Sequence, residues 1–451
     1  MPDPRSHPPD YRDPAATPPS GNSGRAPKGS SQARQAALGI VERLRSAGHL
    51  AYFAGGCVRD ELLGLAPTDY DIATDATPDR ISALFPRTAH VGAAFGVVLV
   101  IEQDCPVEVA TFRSDGPYSD ARRPDRVHFS DPESDARRRD FTINAIFLDP
   151  LAPAGGQVID YVGGQADLAA KVVRAVGEPE ARLSEDHLRA LRAVRFAARL
   201  GFELESATAL AVKRHAAQLR GVSRERIGDE VRRIMDHPSR PRAVGLLGSL
   251  SLDSVILNEP PAPSREVPIT LQRLGNISPQ PVFSTFLAGW ALDRFSGTWN
   301  EFSKALDSLV SRWRRALCLS NTERDEFAGV LRGYDLIRTK FLDASVAEQK
   351  RLAARSWWAD ALLLVAARPV WEEGGGDTTL PSRVRERFAE LATTPGGIQP
   401  EPVLTGDDLA AEGFKPGPAY KKILDAVYDA QLEGRISSRE EALELARMLG
   451  V

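Results

Sequence analysis

Ala54-Gly55-Gly56-Cys57-Val58-Arg59-Asp60, followed shortly by Asp69-Tyr70-Asp71, is the stretch whose reading decides this chain. Residues Leu50 to Phe53 read as a short strand. Cys57 to Leu63 read as a helix with Val58, Leu62 and Leu63 on its apolar face. Gly55-Gly56 falls at the strand-to-helix turn, where side chains would obstruct a ligand. The N–H groups of a helix's first turn and its dipole favour an anion there, and Arg59 adds a full charge one turn on. Asp69 and Asp71 run into Ile72-Ala73, which reads as a strand, so a side-chain period of two turns both carboxylates to one side. Such a pair repels unless a cation separates it, and Mg²⁺ favours one or two carboxylates completed by phosphate oxygens. A phosphate cradle beside a cation clamp is equipment for breaking a triphosphate. Asp-x-Asp by itself is more often a surface turn; the Gly-Gly turn beside it reverses that ranking.

The totals set bounds. With 451 residues, 42% hydrophobic and 26% charged, the chain is ordinary globular protein, long enough for several packed units. No apolar run approaches the roughly 18 residues of a membrane span. The three cysteines, Cys57, Cys105 and Cys318, are odd in number and far apart, which indicates neither a disulfide framework nor a zinc site and fits a reducing, cytoplasmic setting. A net charge of −4 means that any nucleic-acid surface must come from local clusters of Arg and Lys.

Gly55-Gly56-x-Val58-Arg59-Asp60 with Asp69-x-Asp71 resembles the head of the class II tRNA nucleotidyltransferases, the CCA-adding enzymes and bacterial poly(A) polymerases of the polymerase-β superfamily. The resemblance implies an α/β catalytic head, a mixed sheet with helices, followed by an all-α neck, body and tail. It also implies Mg²⁺ at Asp69 and Asp71, CTP and ATP as substrates, and tRNA as partner. Glu108, on the strand Val107 to Thr111, is by its residues compatible with a solvent-facing edge position; the resemblance makes it the third acid of the catalytic set.

Residues 1–30, rich in Pro, Ser and Gly, are expected to be a disordered extension without a targeting signal. The head is expected over 31–165, a neck over 166–235, a body over 236–372, a Pro/Gly-rich linker over 373–402 and a tail over 403–451. Alternating strands and helices in the head give a small mixed sheet. Phe112 to Ser130 is too polar to pack and resembles the flexible loop of CCA-adding enzymes, which favours adenosine addition as well as cytidine. Arg137-Arg138-Arg139-Asp140 ahead of an apolar run would ordinarily be a solvated face. The resemblance assigns Arg139 to the nucleotide and leaves Arg138 open.

Glu185 to Phe196 reads as one helix with Leu188, Leu191, Val194 and Phe196 inward, so Asp186 and Arg189 share a face. The plain reading is an i,i+3 ion pair. The same pair also matches the pairing edges of C and A, since Asp accepts from the amino group both bases carry and Arg donates to the adjacent ring atom. U and G present an oxygen there and are refused. The family motif credits Asp186 and Arg189 with this choice, and Arg192 and Arg195 match nucleotide-contacting positions. Arg195 lies round the helix from Asp186 and suits phosphate or a bracing role. Ser223 is expected to cap a helix carrying Arg224 and Arg226, structural or RNA-facing. Gly413-Phe414-Lys415-Pro416-Gly417-Pro418, leading into Tyr420-Lys421-Lys422, fits either a helical packing unit or a hold on a phosphate backbone; the resemblance favours RNA at Lys415, Lys421 and Lys422. An enzyme restricted to A addition on tRNA ending in CC, a poly(A) polymerase, and a non-catalytic RNA-binding protein are the alternatives.

Overall fold

The structure, a computed structural model, describes residues 28–92, 96–116, 126–262, 268–277, 280–296, 299–367, 379–414 and 417–450. The expected extension up to residue 27, the centre of the Phe112–Ser130 loop and Lys415 lie outside the described residues. The chain divides into two compact units, Met1–Phe112 with Phe147–Ile159 and Arg113–Ile146 with Asp160–Val451.

The first unit opens with α1 (Lys28–Ser46), which starts inside the stretch expected to lack order. Ala36, Ala37, Ile40, Val41 and Leu44 recur at helical spacing and are fully buried, so one stripe of α1 packs on the sheet. Then follow β1 (Ala51–Ala54), α2 (Gly56–Leu62), β2 (Asp71–Thr74), α3 (Pro78–Leu84), β3 (Thr88–Gly92), β4 (Val97–Glu102) and β5 (Cys105–Thr111). β6 (Arg113–Asp115) and β7 (Val127–Phe129) pair as a separate hairpin in the second unit. β8 (Ile146–Asp149) and β9 (Gln157–Asp160) complete a seven-stranded sheet ordered β3-β4-β5-β2-β1-β8-β9. β2 and β5 run parallel and β1 lies antiparallel to β2 and β8, so the sheet is mixed, as expected. Phe53, Phe112 and Phe147 fill its core. Leu62, expected on the apolar face of α2, is instead 43% exposed, because the seven-residue helix buries only Cys57, Val58 and Arg59.

The second unit is helical: α4 (Pro132–Arg137), α5 (Gly164–Ala170), α6 (Pro179–Glu185), α7 (Arg189–Leu200), α8 (Ser206–Arg214) and α9 (Arg224–Met235) lead into further helices ending with Arg439–Leu449. Three expectations are corrected here. The single helix from Glu185 breaks between α6 and α7, where Asp186 is extended at φ −149° and its carboxylate accepts the Leu188 N–H at 3.1 Å. A short acid bonding to nearby backbone competes with helix, and periodicity of the apolar residues cannot register such a break. Ser223 stands at the start of α9, but its side chain makes no capping bond. The expected linker holds a helix, Leu380–Thr393, because Val384 and Leu391 are buried and Phe388 stacks on Trp358 at 6.0 Å. In the tail, Leu404, Leu409, Ile423, Val427, Ala442 and Ala446 form a core of their own.

Candidate active site

Parallel pairing of β2 with β5 sets Asp71 directly beside Glu108. Register partners point to one face of a sheet, and both residues are exposed while Ile72, Val107 and Val109 are buried. Asp69 lies two residues ahead of Asp71, just before β2 begins, and is also exposed. Tyr70 between them is only 4% exposed, so the acids turn outward and the tyrosine inward. Asp71 and Glu108 thus lie side by side on two interior strands of the sheet, with Asp69 two residues ahead of Asp71, and all three offer hard oxygen donors suited to a divalent cation. Among the described residues no three acidic, His or Cys side chains are close enough to hold an ion unaided. An ion at Asp71 and Glu108 would need further donors, such as substrate phosphate or water.

Gly55 supplies the turn that brings β1 into α2 at φ +75°, a conformation that favours glycine. Arg59 folds back over this turn, since a Cβ on Gly56 would lie 3.8 Å from its Nη2. Arg59 is 5% exposed, and its guanidinium bonds Asp60 Oδ1 through Nε at 2.8 Å and Nη2 at 2.7 Å. Arg59 therefore reaches the turn with a carboxylate already beside it. The Cys57 thiol donates to the Ala54 carbonyl at 3.4 Å, and burial pushes its pKa up to about 12, so it is inert packing.

In the second unit the arginines singled out by sequence are gathered by buried carboxylates. Asp135, 1% exposed, receives Arg138 at Oδ1 (2.6 Å) and Arg139 at Oδ2 (3.0 Å), while Arg139 Nη1 also donates to the Asn144 carbonyl at 3.1 Å. Asp140 accepts from Arg192 Nε at 2.8 Å and from Asn144 Nδ2 at 3.1 Å. Burial alone would raise the Asp140 pKa, but the Arg192 charge and these bonds outweigh it and hold the carboxyl at about 2. Arg195 donates to Glu230 at 2.7 Å across α7 and α9. Asp186 and Arg189 do not pair with each other: Asp186 Oδ2 accepts from Arg226 at 2.7 Å, and Arg189 Nη1 donates to Glu185 at 2.5 Å and to the Arg182 carbonyl at 2.6 Å. Both remain half-buried or buried in one turn-bounded segment.

Sequence reasoning missed Asp135, Arg182, Glu230, Glu185 as the partner of Arg189, and Arg226 as the partner of Asp186. Asp135 was findable, since an acid three and four residues ahead of two arginines is a helix-face signal. Asp186 and Arg226 are 40 residues apart and no local spacing links them. Lys421 and Lys422 are exposed near the start of the tail helix Pro418–Leu432.

Residues 51–174 match the Poly A polymerase head domain, and residues 201–260 match the probable RNA and SrmB-binding site of polymerase A. The CCA-adding enzyme of Geobacillus stearothermophilus is 35% identical, over 91% of this chain and 95% of that protein. The chain belongs to the CCA-adding enzyme family. A crystal structure of the Bacillus stearothermophilus CCA-adding enzyme in complex with CTP is 31% identical and superposes with a TM-score of 0.71, covering 92% of this chain and 97% of that one. The Thermotoga maritima CCA-adding enzyme complexed with tRNA-CCA shares the fold at 19% identity and a TM-score of 0.62, over 92% and 94% of the two chains. The α/β head and helical remainder expected from the family resemblance are those of CCA-adding enzymes. No helix of the described residues is long and apolar enough to cross a membrane.

Proposed function

We infer that this chain is a template-independent tRNA nucleotidyltransferase that transfers CMP and AMP from CTP and ATP to the 3′ end of tRNA in the cytoplasm. The observation that carries the reading is the complete acidic set, Asp71 in register with Glu108 and Asp69 two residues ahead, in a chain that matches the family over nearly its whole length. A protein that only bound RNA would have no use for exposed carboxylates held in register on two neighbouring strands of the sheet.

Asp69 and Asp71, assisted by Glu108, would hold Mg²⁺. When bound, the cation offsets charge on the triphosphate and lowers the barrier to in-line displacement. The 3′-hydroxyl oxygen of tRNA forms a bond to the α-phosphorus and gives up its proton to solvent as the α–β bridging P–O bond breaks and pyrophosphate leaves. Gly55 and Gly56 leave room at the turn for phosphate, Arg59 lends its charge there, and Arg139, Arg192 and Arg195 serve the nucleotide-binding segment of the second unit. Asp186 accepts from the amino group shared by C and A, and Arg189 donates beside it, with Arg226 and Glu185 fixing the two side chains. Lys415, Lys421 and Lys422 meet the tRNA backbone. The head, neck, body, linker and tail bounds given above are part of this reading, with the linker reduced by its helix.

The test is incorporation on tRNAs ending before C, after C and after CC, each with CTP or ATP alone. CMP entering the first two and AMP only the third is the expected result. AMP entering the CC-ended tRNA with no CMP incorporation anywhere would make this an A-adding enzyme.

A further inference from the structure

Asp69 and Asp71 are exposed, and the ladder of β2 begins only at Asp71, so pairing in the sheet does not by itself fix Asp69. The residue between them is tied down instead. The Tyr70 ring meets Phe53 edge-on at 5.1 Å, and its hydroxyl donates to Glu61 Oε1 at 2.6 Å. Arg34 Nε donates to the same oxygen at 2.8 Å, and its guanidinium lies 5.7 Å from the Phe53 ring centre. One part-buried chain of bonds thus runs from α1 through α2 to the Asp-x-Asp segment, all within the first unit, with Tyr70 its buried end. Glu61 also lies on α2, the helix that opens at Gly55-Gly56, so the same carboxylate couples the glycine turn to the aspartates.

We propose that Arg34, Glu61 and Tyr70 form a positioning device that fixes the spacing of Asp69 and Asp71 and thereby the affinity of the head for divalent cation. The proposal rests on the assignment of those aspartates to the cation. Tyr70 touches no reacting atom; it acts by holding the backbone between two residues that do. A hydrogen bond to a charged carboxylate is among the stronger ones in proteins, and removing the hydroxyl while keeping the ring isolates it.

The experiment compares wild type with Tyr70→Phe, Glu61→Gln and Glu61→Ala in two measurements. Amide hydrogen exchange of the peptide covering residues 65–72 reads the positioning directly and needs no turnover. The Mg²⁺ concentration giving half-maximal AMP incorporation, at saturating ATP and CC-ended tRNA, reads its consequence. Tyr70→Phe is expected to speed exchange about tenfold and to raise the half-saturating Mg²⁺ about three- to tenfold, with the KM for ATP within about twofold of wild type. Glu61→Ala should match it. Glu61→Gln keeps an acceptor oxygen and should restore most of both readings. If Tyr70→Phe lowers the melting temperature yet leaves exchange of 65–72 and the Mg²⁺ midpoint at wild-type values, Tyr70 is a packing residue and the proposal falls. Wild-type protein without incorporation on any tRNA would overturn the proposed function; the exchange comparison would still decide what Tyr70 does to its neighbours.

Discussion

Two sets of carboxylates in this molecule have opposite surroundings. In the head, Asp71 and Glu108 are exposed on neighbouring strands whose flanking Ile72, Val107 and Val109 are buried, and Asp69 is exposed just ahead of them. In the second unit, Asp135, Asp140 and Glu230 are 1%, 9% and 3% exposed and each is met by arginine. An exposed acid retains its hydration and costs the fold little, so two held in register, Asp71 and Glu108, ask for a chemical reason. A buried acid costs a great deal unless paired, so its arginines are explained by the fold before any ligand is invoked. The head's acids should therefore govern rate with little effect on stability, and the second unit's should govern stability first.

The contrast can be broken most sharply at its exposed end. Asp71→Ala is expected to lower incorporation by about 10³-fold or more, a barrier change of about 4 kcal/mol, while the melting temperature stays within a few degrees. A comparable loss of stability would erase the distinction. At the buried end, Asp140→Asn takes from Arg192 its hydrogen-bonded carboxylate, leaving only Glu230 at 4.0 Å, and should cost about 3 kcal/mol in urea unfolding at pH 7. The same residue gives a pH signature. Its folded value of about 2 lies below the ordinary 3.8, so its stabilisation is complete above pH 4 and is lost as pH falls toward 2. That corresponds to about 2 kcal/mol, visible as a steeper acid limb in wild type than in Asp140→Asn. Asp186, half-buried and held by Arg226, falls between the two sets. Asp186→Ala should relax discrimination against UTP and GTP by about 10- to 100-fold, measured as ratios of kcat/KM. The smallest effect is expected at the tail. Lys421→Ala with Lys422→Ala should weaken tRNA binding and reduce the slope of log affinity against log salt by about 1 to 2.

How much of this was legible in the sequence differs by element. α1 and β5 follow from apolar periodicity, because each buries one stripe or one face at a fixed interval, whereas β1 and β2, buried nearly throughout, follow from short apolar runs. The outward Asp69 and Asp71 with inward Tyr70 follow from the same alternation. The break at Asp186 was invisible, because an acid that bonds to its own following backbone looks, in sequence, like any polar residue on a helix face. The helix Leu380–Thr393 was masked by the glycines and prolines on either side of it.

The chain's sequence by itself determined the Gly-Gly turn, the Asp-x-Asp pair, the family and the order of sheet and helices. These depend on residue types at short range, where geometry per residue is fixed. Tertiary structure alone decided that Glu108 lies beside Asp71 and that Asp186 faces Arg226 rather than Arg189. It also decided that Tyr70 reaches Glu61 together with Arg34, and that Glu230 answers Arg195. Those partners are far apart along the chain or on different elements. Pairing register and helix packing, which depend on the whole core, choose among the many partners each charged side chain could have had.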